Sequence, residues 1–196
     1  CGDNEIEREY WDKRQLVKKI NLNSLYGAIL NPGCRFFDMR IGQSVTLTGR
    51  CITQHMASKV NEVVTGEYDH KGESIVYGDT DSVYFSAFKT LQKEIKEGVI
   101  PWTKDSVVAL YDKIADEVNG SFKSFMTKAF HTPSTRGEVI AAGRELVASK
   151  GLFITKKRYA VLYYDKEGKR ADVEGKDGKM KAMGLDLKRS DTPVFV

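Results

Sequence analysis

The chain has 196 residues, 41% hydrophobic and 30% charged, with a formal net charge of +4; this composition places it among soluble globular proteins and excludes disordered and fibrous classes. No stretch approaches the ~18–20 apolar residues of a membrane span, so no membrane partner is expected. Cys1, Cys34 and Cys51 are odd in number and form no C-x-x-C pair, which argues against a disulfide framework or zinc ribbon and for a reducing, cytoplasmic compartment.

In chain order, residues 5–26 predict a helix, because Leu16, Ile20 and then Asn23 and Ser24 follow helical spacing and charges fill the early turns. Asn31-Pro32-Gly33 ends it. A second helix is predicted over about 39–64, where Ile41, Val45, Thr48, Ile52, Met56, Val60 and Val63 build one apolar stripe. Ser74 to Tyr77 and Ser82 to Phe85 are β-branched and aromatic runs flanking Gly78-Asp79-Thr80-Asp81, the pattern of a hairpin with an acidic tip. A third helix is predicted over about 104–130, with Val107, Tyr111, Ile114, Val118, Phe122, Phe125 and Ala129 on one face, packed beneath the hairpin. Strands follow over 138–148 and 152–164, joined near Lys150-Gly151, with a turn at 165–168 and a final strand over 179–187. The order predicts an α+β fold with an antiparallel sheet rather than alternating βαβ units.

Charge is unevenly placed: 9 basic and 7 acidic residues over 1–66, 10 and 13 over 67–148, and 12 and 7 over 149–196. An acidic middle followed by a basic end is weak evidence for a polyanionic partner, and a solvated surface explains it about as well.

Three segments carry chemistry. In Lys19 to Gly27, a helix places Lys19, Asn23 and Tyr26 at i, i+4 and i+7, so an ammonium, a carboxamide and a phenol share one face that suits a phosphate, a base edge and a sugar or base. Gly27 lets another backbone approach. Taken alone, an amphipathic helix with a polar side explains this segment better. In Tyr77-Gly78-Asp79-Thr80-Asp81-Ser82, two carboxylates at i and i+2 of a hairpin project from one face of the pleat and repel unless a cation lies by them. Oxygen ligation of this kind suits magnesium (Mg2+) held with substrate phosphates; an ordinary turn is the alternative. In Thr155-Lys156-Lys157-Arg158-Tyr159, a strand would turn a cation to each face, one of them needing a carboxylate or a phosphate. A charge-protected edge strand accounts for it equally.

Together and in this order, K-x-x-x-N-S-x-Y-G, Y-G-D-T-D-S and K-K-R-Y resemble the family B DNA polymerases, most closely the replicative enzymes of T-even-type bacteriophages. The segment Lys181 to Pro193 is similar to the one that closes the palm subdomain there. The resemblance implies an antiparallel-sheet palm with packed helices, preceded by the last fingers helix: residues 1–30 would end the fingers and 31–196 would form an incomplete palm. It implies template-directed transfer of dNTPs to a primer 3′-hydroxyl, with two Mg2+ ions in the complete enzyme. Asp81 would bind both metals and Asp79 would support it. Lys19 would contact the nucleotide triphosphate, with Asn23 and Tyr26 lining the base-pair pocket. Ser24, Gly27, Lys156, Lys157, Arg158 and Tyr159 would face the primer or DNA.

The family's other metal-binding aspartate belongs to D-x-x-S-L-Y-P, which this sequence lacks. With no initiator Met and no leader pattern, the chain is expected to be cut from something longer or processed, and to be inactive alone. Its implied partners are primer-template DNA, dNTPs and the remainder of the polymerase chain or a partner subunit, with a sliding clamp admitted for the full enzyme and the infected bacterial cytoplasm as location. A subunit of a split polymerase and a non-catalytic nucleic-acid-binding module are the other readings.

Overall fold

A computed structural model describes residues 2–173 and 175–185. The chain divides into two compact units, 1–51 and 52–196.

The first unit holds helix α1 (Gly2–Ile29) and the first half of α2 (Met39–Thr65). Between them the chain turns at Asn31, whose Oδ1 accepts the Gly33 N–H at 3.0 Å, a side-chain turn that halts a helix. Asp38 then caps α2, accepting the Arg40 N–H at 2.9 Å. The Arg40 guanidinium also grips the Asp38 carboxylate and, with that backbone bond, holds its pKa at about 2. Gly42 leaves room for Leu30 where α2 begins, since a Cβ there would lie 2.1 Å from Leu30 Cδ2 and push that side chain aside. The predicted stripe of α2 is real but unevenly used: Ile41 and Val45 are exposed, whereas Ile52, Met56, Val60 and Val63 pack into the second unit's core.

In the second unit, β1 (Ile75–Asp79) and β2 (Ser82–Phe85) form an antiparallel hairpin. Short α3 (Gln92–Lys96) leads to α4 (Lys104–Phe130) and short α5 (Ser134–Gly137). The four-stranded sheet follows: β4 (Arg158–Lys166) pairs β3 (Leu146–Thr155) along one edge, and β5 (Lys169–Arg170) and β6 (Lys179–Met183) along the other. All pairs are antiparallel, and the class is α+β as the element order predicted.

Helix α4 occupies its predicted range. Thr103 caps it reciprocally with Ser106, and His131 ends it in the left-handed region at φ +51. Its Ile114, Val118 and Phe122 meet Val60 of α2 in the main core, and Ile75 and Phe85 of the hairpin pack on that cluster, as expected. A second cluster joins Val107 of α4 to Val147 and Tyr164 of the sheet. Asn61, fully buried, ties down the chain entering the hairpin: its Nδ2 donates to the Glu67 carbonyl at 2.8 Å, and its Oδ1 accepts from Ser74 N and Oγ at 3.2 and 2.7 Å.

Two expectations are corrected. The turn expected at Lys150-Gly151 lies inside β3, and the chain reverses instead at Lys156-Lys157, with Lys157 at φ +62. Gly151 marks a packing site rather than a turn, since Phe153 lies 3.0 Å from where its Cβ would sit. Residues 138–145 are not strand either; Asn119 of α4 satisfies Ala142 through both its side-chain groups, at 2.9 and 2.7 Å, where a ladder would otherwise be needed. The expected turn at 165–168 is present, with Glu167 and Gly168 at φ +50 and +77 and Asp165 Oδ1 accepting the Gly168 N–H at 3.2 Å. The final strand ends at Met183 rather than 187; residues 186–193 of the palm-closing segment lie outside the described residues. Among the described residues, no helix is long and apolar enough to cross a membrane.

Candidate active site

The hairpin tip is the chemically unusual place. Asp79 closes β1 opposite Ser82, so the loop is just Thr80-Asp81. Asp81 therefore sits in the turn, and strand alternation does not set its direction as the i, i+2 spacing implied. Thr80 has φ +44, a left-handed conformation that a β-branched residue rarely adopts. Neighbours hold it there. Thr53 Oγ1 of α2 donates to the Thr80 carbonyl at 2.8 Å, Thr80 Oγ1 donates to Asp79 Oδ1 at 3.1 Å, and Ser82 Oγ donates to the Asp79 carbonyl at 3.1 Å.

Asp79 is half-buried and Asp81 exposed. Asp79 thus spends one oxygen on its own loop, while Asp81 has no hydrogen-bond or ion-pair partner among the described residues. An exposed carboxylate two residues from a second one is a donor of the type magnesium takes, an ion that keeps several waters and uses one or two carboxylates plus substrate oxygens. The described residues contain no cluster of three or more His, Cys, Asp or Glu groups able to cage a metal.

The basic turn meets the hairpin. Tyr77 OH accepts the Lys157 backbone N–H at 2.8 Å, and Tyr84 OH donates to Tyr159 OH at 3.2 Å. Lys156, Lys157 and Arg158 are exposed and Tyr159 is buried. The reversal at 156–157 removes the conflict foreseen for a continuous strand, because no cation is forced inward. Burial, reinforced by Tyr159, pushes the Tyr84 hydroxyl well above the usual phenol range. Gly184, at φ +62, backs the same turn: a Cβ there would lie 2.1 Å from the Lys157 carbonyl oxygen.

A groove of about 580 Å³ runs from Asp81 and Ser82 along β2, past Tyr111 and Ile114 of α4, to Leu146–Gly151 of β3. Among the described residues each bounding strand has a single partner, β1 for β2 and β4 for β3.

The remaining predicted residues lie on α1 in the first unit. Lys19, Asn23, Ser24 and Gly27 are exposed, and Tyr26 is half-buried with its hydroxyl 3.5 Å from the Gly42 carbonyl oxygen. Ser24 Oγ donates to the Ile20 carbonyl at 2.8 Å. The structure therefore brings the second and third motifs together and describes the first by itself. Sequence reading missed Thr53, Tyr84, Phe153 and Gly184. Thr53 lies beside an apolar stripe and carries no local signal; Gly184, directly after an alternating run, was the one position a strand-end rule would have picked out.

The chain matches the family model for DNA polymerase family B over residues 2–196. It is 35% identical over 194 residues to the DNA-directed DNA polymerase of Escherichia phage RB69 and 31% identical over 194 residues to that of Enterobacteria phage T4, in each case over 93% of this chain and 21% of the relative. It is also 30% identical to the DNA polymerase delta catalytic subunit of Oryza sativa subsp. japonica, over 97% of this chain and 14% of that protein. The chain thus spans about a fifth of the length of its phage relatives. The match along nearly the whole chain, motifs included, makes this chain a member of DNA polymerase family B.

Proposed function

We propose that this chain is the end of the fingers and the C-terminal part of the palm of a phage replicative DNA polymerase, which transfers dNTPs to a primer 3′-hydroxyl under template direction. The observation that carries the reading is the hairpin tip: a partnerless Asp81 on a strained turn, joined through Tyr77 to the Lys156–Lys157 turn.

In this reading Asp81, with Asp79 in support, would hold the two magnesium ions, and these would supply the positive charge that primer hydroxyl activation and triphosphate neutralisation need. Thr53 and Ser82 keep the tip in place so that the carboxylates do not reorganise as charge develops. Lys156, Lys157 and Arg158 lie along the primer backbone, where cations neutralise phosphates without reading sequence. Tyr159, expected to face the primer, is buried behind them with its hydroxyl on Tyr84, and is read instead as supporting that turn. On α1, Lys19 meets the triphosphate as a point charge, Asn23 and Tyr26 line the base pocket, and Ser24 and Gly27 face the DNA.

The second metal-binding aspartate comes from the rest of the polymerase chain or from a partner subunit. The groove beside Asp81 supports this: an extended segment laid between β2 and β3 would satisfy two strand edges at once. The chain by itself is then inactive.

In a complete polymerase containing this segment, Asp81→Asn keeps the volume and removes the charge. Primer extension should fall by about 10³-fold, the worth of several kcal/mol of lost charge stabilisation, with primer-template affinity unchanged. Extension at the parent rate would refute the assignment.

A further inference from the structure

Four rings stand between the hairpin and the sheet: Tyr77 and Tyr84 from the hairpin, Phe153 from β3 and Tyr159 from β4. All six pairs are in contact. Centroids are 6.0 Å apart for Tyr77–Tyr84, 5.3 Å for Tyr77–Phe153 and 5.6 Å for Tyr77–Tyr159. They are 5.2 Å apart for Tyr84–Phe153, 5.4 Å for Tyr84–Tyr159 and 5.6 Å for Phe153–Tyr159. The tetrad is closed, with stacked and edge-on contacts of the kind aromatic pairs prefer. Its two hydroxyl links, Tyr77 to the Lys157 N–H and Tyr84 to Tyr159, join strands that share no ladder hydrogen bond.

We infer that Tyr84 is a positioning residue for nucleotidyl transfer, fixing the Asp81 tip relative to the Lys156–Arg158 turn through the ring tetrad and its hydroxyl link to Tyr159. The inference rests on the function proposed above. Tyr84 touches neither metal nor DNA in this account and acts through others: Asp81 lies three residues before it on the hairpin, and Tyr159 follows the basic turn. The distance between tip and turn sets how the primer 3′-hydroxyl meets the metal-bound phosphate. Small misplacements of reacting groups cost large rate factors, whereas the exposed cations of the turn keep their charge and still reach the primer backbone, so affinity falls far less than rate.

The test uses the complete polymerase with single-turnover and steady-state primer extension. Tyr84→Leu should lower kcat about 10-fold or more, with KM for dNTP and Kd for primer-template changed less than twofold. Tyr84→Phe keeps the ring, and should recover most of the rate while remaining two- to fivefold below the parent. An unchanged kcat in Tyr84→Leu, or losses in KM and Kd that match the loss in kcat, would overturn the inference. If Tyr84→Leu does not fold, Tyr84→Phe decides alone: parent kcat sinks the hydroxyl link and with it the proposal. Asp81→Asn, assayed alongside, separates the two layers. Extension surviving Asp81→Asn refutes the function itself, whereas its loss together with a silent Tyr84→Leu refutes only the role of Tyr84.

Discussion

His55 shows how far a single side chain can be specified by its neighbours. Ser121 Oγ donates to the Val118 carbonyl at 2.6 Å, so towards His55 it acts as acceptor, and Nε2 carries the ring proton across 2.9 Å. Nδ1 is then the acceptor for Tyr68 OH at 2.7 Å. The ring lies flat on Phe125, centroids 3.9 Å apart and planes 4° from parallel. Burial is the main influence lowering the His55 pKa; Lys59 adds to it and Glu62 opposes it. A depressed histidine pKa means that the unfolded chain binds the proton more readily. Its contribution is absent above the ordinary value of about 6.5 and becomes a loss of stability as pH falls through and below it. Thermal melts at pH 7.5 and 5.5 should show a larger drop in Tm for the parent chain than for His55→Gln. Equal drops would contradict this. None of this was legible in the sequence, because residues 55, 68 and 121 meet only through packing, and a lone histidine carries no period.

Among elements, those with a repeating apolar signal were read correctly and those shaped by distant contacts were not. Helix α4 and the second half of α2 match their stripes because one face must be buried along the length of contact, whereas Ile41 and Val45 of α2 stay exposed. The β3–β4 turn was misplaced for the opposite reason. Lys-Gly has local turn chemistry and Lys-Lys does not, yet the chain reverses at Lys156-Lys157. The Tyr77 hydroxyl takes the Lys157 N–H from one side, and the Gly184 backbone leaves room for the Lys157 carbonyl on the other. Tertiary contacts impose φ +62 on a residue that does not favour it. Gly184→Ala should accordingly destabilise the chain by about 2 kcal/mol or more, as a left-handed position gains a Cβ that collides with backbone. Chemical denaturation measures it, and a variant as stable as the parent would show that the turn yields.

For the molecule as a whole, the motifs were legible as a set although each was ambiguous alone. Tyr77 to Ser82 and Lys156 to Tyr159 lie about 80 positions apart, and the fold joins them through a backbone bond at 2.8 Å. What the sequence could not supply was the join itself: no pattern pairs Tyr84 with Tyr159, or Thr53 with Thr80. The charge profile gains a meaning under the proposed function, since the acidic middle contains the hairpin and the basic end contains the turn. The 196-residue chain, purified and given primer-template, dNTPs and Mg2+, should extend no primer; measurable extension would show that its own carboxylates suffice.

The groove between β2 and β3 also bears on how the segment behaves outside a polymerase. Strand edges without partners are templates for other strands, and natural sheets guard theirs with charge, bulges or cover. Here β2 offers Ser82–Phe85, a run with no charged side chain, and the register shift of β3 near Ala148 and Lys150 lies in its ladder with β4 rather than on the groove side. Among the described residues neither groove-side edge is paired, so the chain produced by itself should self-associate as concentration rises, and less so when an extended peptide occupies the gap; light scattering that stays flat with concentration would contradict this.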